Sequence, residues 1–340
     1  MKPVIAITSG DPNGIGPEVV LKSLLHRSLR RSARALLVGP LEAFQYYARS
    51  IDFPLPILPL EQYRSYQDAC GAKDSVACVD TGRLRVIRPG QVSAEAGSAA
   101  RRAIESAVSL VRVGLADAIV TAPVSKAALR RAGVPFPGQT EMLQYLTGAP
   151  SVAMMLVCPK LRVGLVTIHL PLRAVAHSLS RELVREKVGV IHESLLHDWG
   201  IRKPKLALLG LNPHAGEEGN LGDEERRILE PAVEALRKRG MRLEGPFPAD
   251  GFFAHYRSGA YDAVVALYHD QGLIPLKMLA RGKGVNFSAG LPLVRTSPDH
   301  GTAFAIAGRG KAEAASTVEA VRLAAFLAAR RHAKRYRRGQ

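Results

Sequence analysis

Short, continuous apolar runs alternate with helical periods along almost the whole chain. VIAIT, ALLVG, DAIVTA, VGLVTI, LALLG and DAVVALY are rich in Val, Ile, Leu and Ala, the pattern of strands buried on both faces. Residues 95–114 and 181–197 between them carry helical spacing. Strand alternating with helix predicts an α/β fold with largely parallel sheets. Residues 50–93 break the rhythm: Pro54, Pro56 and Pro59 precede polar, β-prone pieces, predicting an irregular or small antiparallel insertion. A chain of 340 residues suits two α/β lobes. The first lobe is expected over residues 1–130 and 290–340, the second over 131–289.

Three of the apolar runs end alike. LRVGLVTIH, PKLALLGLNPH and YDAVVALYH place His169, His214 and His269 just beyond three strands. Parallel sheets bind ligands outside the carboxyl ends of their strands. Three imidazoles arriving from three strand ends could meet at one divalent metal with an open coordination position. A lone histidine in such a place is ordinarily a hydrogen-bonded loop residue; the repetition, with Asn212, Gly216, Asp270, Gln271 and Gly272 alongside, is what points to a site.

Two glycine-rich blocks add chemistry. GDPNGIGPE follows the first strand and opens a helix, a setting that favours an anion at the helix N-terminus, although it is not the GxGxxG dinucleotide fingerprint. NFSAGLPLVRTSPDHGTAFAIAGRGKA, from Asn286, is dense in polar, charged and glycine residues, with little strand or helix period until Thr302. Asn286, Arg295 and, upstream, Lys277 can hold carboxylate or phosphate oxygens there.

Composition narrows the picture. Hydrophobic content of 47% with 23% charged residues is that of a globular protein. No apolar run approaches a membrane span, and the first strand is too short for a signal-peptide core, so a cytoplasmic location without membrane partners is expected. Cys70, Cys78 and Cys158 lack metal-ligand or redox spacing and read as reduced thiols. The net charge of +17 is concentrated partly in Arg330, Arg331, Lys334, Arg335, Arg337 and Arg338. Beyond Tyr336 no aromatic stacking pattern or nucleic-acid motif accompanies these, so they read as a solvated helix end rather than a nucleic-acid arm. Basic charge also suits an anionic substrate.

The motifs SGDPNGIGPE, TAPVSK, GQTE, NPHAGE, GPFPAD, YHDQGLIPLK and NFSAGLPLVRTSPDHGTA together resemble the 4-hydroxythreonine-4-phosphate dehydrogenase (PdxA) family, nearly end to end. GDPNGIGPE and HGTAFAIAGRG are also similar to signatures of the isocitrate/isopropylmalate dehydrogenase-like fold. The resemblance implies a two-lobed homodimer with an inter-lobe cleft and active sites shared between subunits. It makes His169, His214 and His269 ligands of one divalent metal per site (Zn, Mg or Co). Gln139, Thr140, Lys277, Asn286 and Arg295 become substrate contacts, and His300, Gly301, Thr302 and Gly308 lie on the NAD or NADP side. The general base stays open between Asp250, Lys277 and solvent.

The activity implied is NAD(P)-dependent oxidation of 4-phosphooxy-L-threonine, a small phosphorylated hydroxy-amino acid, and decarboxylation to 3-amino-2-oxopropyl phosphate in pyridoxal phosphate biosynthesis. Related dehydrogenases act on phosphorylated four-carbon sugar acids or dihydrodiols, and a phosphate acyltransferase of the same superfamily is a more remote alternative. One position departs from the pattern: Gln139 stands where the family usually has His. An amide keeps hydrogen-bonding ability and loses the proton and charge of an imidazole.

Overall fold

A computed structural model describes residues 2–338, with side chains described through residue 333. In chain order the strands are β1 Val4–Thr8, β2 Arg34–Gly39, β3 Ile57–Pro59, β4 Val76–Asp80, β5 Ala118–Val120, β6 Ala153–Cys158, β7 Leu161–Leu165, β8 Lys205–Leu209, β9 Arg242–Phe247, β10 Ala263–Ala266, β11 Val285–Ala289 and β12 Val294–Pro298. The chain divides into two compact units, Met1–Gly148 with Leu291–Gln340, and Ala149–Gly290. It passes between them at Gly148 and Gly290. The first crossing thus falls later than residue 130, because the helix Gln139–Thr147 packs on the helix Ala94–Arg112 of the first unit.

The first unit's strands run β3-β4-β2-β1-β5-β12, every pairing parallel. The sequence expectation for residues 50–93 is corrected here: β3 and β4 extend the parallel sheet rather than forming an antiparallel insertion. Pro59 is tolerated because β3 is the edge strand and needs no donor on its outer side. The glycine-rich block from Asn286 is corrected too, since it contains β11 and β12. β12 is buried throughout, with Thr296 donating its hydroxyl to the Ala320 carbonyl at 2.8 Å. Polar residues survive in a buried strand because such bonds satisfy them, which is why an apolar pattern misses it.

The second unit's strands run β11-β6-β7-β10-β8-β9. β11, β6 and β7 pair antiparallel, and β7, β10, β8 and β9 pair parallel. One core of this unit joins Leu156, Val163, Leu165, Val264, Leu273 and Leu276, so the helix His269–Ala280 is fastened to the same strands whose ends carry the histidines. Gly164 exists for packing: a Cβ there would lie 2.3 Å from Ile191 Cδ1 of the helix Arg181–His197. Among the described residues no helix is long and apolar enough to cross a membrane. In the basic tail, Arg330 lies over the Phe326 ring and Arg331 donates to the Pro292 carbonyl at 2.8 Å. The side chains of Lys334, Arg335, Arg337 and Arg338 lie outside the described residues.

Candidate functional site

In the second unit β7 and β10 are parallel neighbours, and the backbone beyond them stays paired: Val166 and Thr167 donate to the Ala266 and Leu267 carbonyls at 2.9 and 3.1 Å. That pairing carries His169 and His269 out side by side, with ring centroids 5.8 Å apart. His269 Nδ1 lies 2.7 Å from Asp270 Oδ1, the carboxylate partner that fixes ring orientation and leaves Nε2 for a ligand. Metal–nitrogen bonds near 2.0–2.1 Å put two tetrahedrally disposed imidazole centroids roughly 5.3 Å apart. The pair therefore fits two ligands of one cation.

His214 is not gathered with them: among the described residues no group of three or more His, Cys, Asp or Glu is placed to hold a metal ion. It sits on the turn Pro213–Gly219. Five consecutive residues there, His214 to Glu218, have φ between 42° and 83°. Only Gly216 adopts that backbone without cost; each other residue is strained by about 1–2 kcal/mol. Strain of this kind persists where surroundings impose it, and Glu225 holds the chain just ahead of the turn. Its carboxylate, 1% exposed, accepts from Leu211 N at 2.7 Å, Asn212 N at 2.8 Å and Asn212 Nδ2 at 2.8 Å. Gln271, also buried, accepts from Leu267 N at 2.7 Å and donates to the Gly210 carbonyl at 2.6 Å. It ties the ends of β8 and β10 together.

Asp250 is exposed in the first turn of the helix Ala249–Ala254, which contacts the His214 turn. Lys277 is exposed on the helix begun by His269, eight residues on, or about 12 Å along the axis. Asn286 lies on β11, and its Oδ1 is buried without a hydrogen-bond partner, the state of an acceptor awaiting a donor.

In the first unit Arg295 and Gln139 meet. Arg295, 2% exposed, donates from Nε and Nη2 to Thr121 Oγ1 at 3.0 and 2.7 Å. Its Nη2 lies 3.5 Å from Gln139 Oε1, while Gln139 Nε2 donates to the Ala122 carbonyl at 3.3 Å. Burial lowers the Arg295 pKa to about 10 and the Glu141 charge opposes it, so the guanidinium is cationic at neutral pH. Thr140 follows in the first turn of its helix, half-buried.

The glycine loop is braced internally. Asp11 accepts from Asn13 N at 2.9 Å, Gly14 N donates to the Asp11 carbonyl at 3.0 Å and Ile15 N to the Thr302 carbonyl at 2.9 Å. These loop amides are engaged by the chain. Gly10, at φ 66°, allows the close approach to Pro123, whose carbonyl would lie 2.4 Å from a Cβ. Asp11 is fully buried, and desolvation raises its pKa to about 6 against hydrogen bonds from the Asn13 and Ser125 backbones. In the facing loop, His300 Nδ1 is 3.2 Å from the Gly301 carbonyl and its Nε2 is buried without a partner. Gly301 is exposed and Gly308 has φ 74°.

Two positioning residues escape a reading of the sequence. Glu225 lies in the run DEERR, which looks like a solvated face, and nothing marks it off from Glu224. Thr121 had a signal, since it follows β5 just as the histidines follow their strands.

Comparison with known proteins agrees with this architecture. A D-threonate 4-phosphate dehydrogenase of Cupriavidus necator is 47% identical over 97% of this chain and 98% of its own. A 4-hydroxythreonine-4-phosphate dehydrogenase of Geobacter metallireducens is 44% identical over 96% of each. The crystal structure of a 4-hydroxythreonine-4-phosphate dehydrogenase from Klebsiella pneumoniae, 40% identical, superposes with a TM-score of 0.86 over 96% of this chain and 98% of that one. Residues 31–324 match the family model for pyridoxal phosphate biosynthetic protein PdxA, and the chain belongs to the PdxA family of dehydrogenases.

Proposed function

We propose that the chain oxidises the C3 hydroxyl of 4-phosphooxy-L-threonine with NAD or NADP to 2-amino-3-oxo-4-phosphooxybutanoate. This loses carbon dioxide to give 3-amino-2-oxopropyl phosphate, an intermediate of pyridoxal phosphate biosynthesis. The observation that carries the reading is family membership over residues 31–324, and Thr140, Lys277, Asn286 and Arg295 stand in the motifs that resemble the family.

His169, His214 and His269 are the proposed holders of a divalent cation, zinc, magnesium or cobalt. When bound, it polarises the C3 oxygen while the nicotinamide accepts the hydride. The chain's own groups do the rest. Lys277 and Arg295 supply positive charge for phosphate and carboxylate oxygens, Gln139 and Thr140 orient them, and the unpartnered Asn286 Oδ1 accepts a hydrogen bond from a hydroxyl or ammonium group. Asp250 is one candidate acceptor of the C3 hydroxyl proton, and Lys277 is the alternative if it is neutral and does not serve as a charge; the loop of His300, Gly301, Thr302 and Gly308 is assigned to the cofactor side.

His169 and His269 pair within one chain, so a site shared in a cytoplasmic homodimer would take His214 from the other copy. Mixing inactive His214→Ala and His269→Ala proteins then rebuilds one full ligand set per heterodimer and restores activity. No recovery in demonstrated heterodimers defeats the sharing.

A second reading is favoured by the name of the 47% identical relative: D-threonate 4-phosphate, with a C2 hydroxyl in place of the ammonium. The same oxidation and decarboxylation would then give dihydroxyacetone phosphate. Steady-state NAD and NADP reduction with both substrates decides. Higher kcat/KM for the amino acid, with 3-amino-2-oxopropyl phosphate as product, supports the first reading; the reverse replaces it with the second.

A further inference from the structure

At the amino-terminal ends of the first unit's strands lies a cavity of about 570 Å³, within the size range of small-molecule sites. Lys2 precedes β1, Arg34 opens β2, and Ser75 leads into β4, and all three line it. Thr121 and the Gly10 loop follow their strands, so in this parallel sheet they stand at the opposite, carboxyl ends. The space has a sequence origin. The short helix Tyr66–Gly71 turns Ala69, Cys70 and Gly71 toward it, side chains too small to reach Leu24 and Leu29 on the facing wall.

The lining has one electrostatic sign. Lys2, Arg30, Arg34 and Lys73 contribute, and no Asp or Glu does among the described residues. Lys2 Nζ donates to the Arg30 carbonyl at 2.8 Å and Arg30 Nε to the Leu24 carbonyl at 3.3 Å. The side chains of Arg34 and Lys73 make no hydrogen bond or ion pair among the described residues, and Arg34 is half-buried. A half-buried guanidinium over an apolar floor offers a fork matched to a carboxylate, and the floor excludes a fully polar ligand such as a short sugar phosphate.

We propose that this cavity is a second binding site, for an apolar molecule ending in a carboxylate, its body among Leu24, Leu29 and Val76 and its head at Arg34. The site is separate from the dehydrogenase chemistry in both place and ligand class, and does not depend on which phosphorylated acid is oxidised.

Calorimetric titration of the full-length protein with sodium decanoate, below its micelle concentration, tests this. Saturable binding is expected, unaffected by saturating inorganic phosphate or NAD, with no binding of decyltrimethylammonium. Arg34→Glu should weaken it about tenfold or more, and Ala69→Phe should abolish it by filling the space. Should Ala69→Phe fail to fold, Arg34→Glu, at the partly exposed edge and checked by circular dichroism, decides alone. Absence of saturable decanoate binding, displacement by phosphate, or affinity unchanged in Arg34→Glu would overturn the proposal.

Discussion

Arg295 Nη2 stands 3.5 Å from Gln139 Oε1, so the amide of Gln139 is a neighbour of a guanidinium that is only 2% exposed. An amide serves there as an uncharged acceptor. An imidazole in its place would have to be neutral, because protonation would set two cations side by side in a buried setting.

Gln139→His is therefore expected to change kcat/KM by about tenfold or less, equivalent to about 1.4 kcal/mol. Any new ionisation in its pH–rate profile should fall below the ordinary histidine range, not inside it. A new limb at pH 7 or above would show that Arg295 does not govern this position. Gln139→Glu should instead form a buried pair with Arg295 and raise KM for phosphorylated substrates.

The cation hypothesis makes its sharpest prediction outside the ligands. Asp270 touches His269 Nδ1 at 2.7 Å. Asp270→Asn should weaken cobalt or zinc binding about 10–100-fold, measured by titration of metal-stripped protein, with an unchanged circular dichroism spectrum. Unaltered affinity in Asp270→Asn, or full activity in His214→Ala or chelator-treated enzyme, would remove the assignment.

Glu225 holds three N–H donors of the turn leading to His214. Glu225→Ala removes the acceptor of the Leu211 and Asn212 backbone N–H groups, while Asn212 Nδ2 keeps Glu224 Oε2 at 2.8 Å; the two part-buried N–H groups should cost about 1–3 kcal/mol each at most. Urea unfolding should show the loss. Turnover should fall as well, since the Glu225 carboxylate anchors the chain that leads into the His214 turn; a stable, fully active Glu225→Ala protein would contradict both expectations.

Asp11 predicts a pH dependence of stability. Its pKa is raised to about 6 by burial, so the folded state holds the proton more tightly than the unfolded chain. The contribution is present in full below the ordinary aspartate pKa of 3.8 and is lost as pH rises through 6. Relative to Asp11→Asn, the wild type should lose up to about 3 kcal/mol between pH 4 and pH 7. Urea unfolding of both proteins at the two pH values checks it; a relative gain for wild type as pH rises would refute the burial argument.

The strands carrying His169, His214 and His269 were legible because parallel strands buried on both faces are nearly pure Val, Ile, Leu and Ala. β12 was not, since Arg295, Thr296 and Ser297 are buried there by virtue of partners distant in sequence. The same reason hid Glu225: a charged residue in a charged run looks solvated until its three donors are seen. The convergence of His169 and His269 could be anticipated from their strand ends, whereas the left-handed backbone of the His214 turn is one that Ala215, Glu217 and Glu218 do not advertise.

That conformation restricts which substitutions the turn can accept. Residues 214–218 have positive φ throughout, and only one of them is glycine. Val, Ile or Thr at 215, 217 or 218 would be rejected on backbone grounds alone, whatever the chemistry of the side chain, whereas Gly or Asn would be accepted readily. Ala215→Gly relieves strain yet also loosens the chain next to His214. Variation at these places is therefore filtered by shape before any demand of catalysis is felt, and the residues flanking His214 can look selected for function when they are held by geometry.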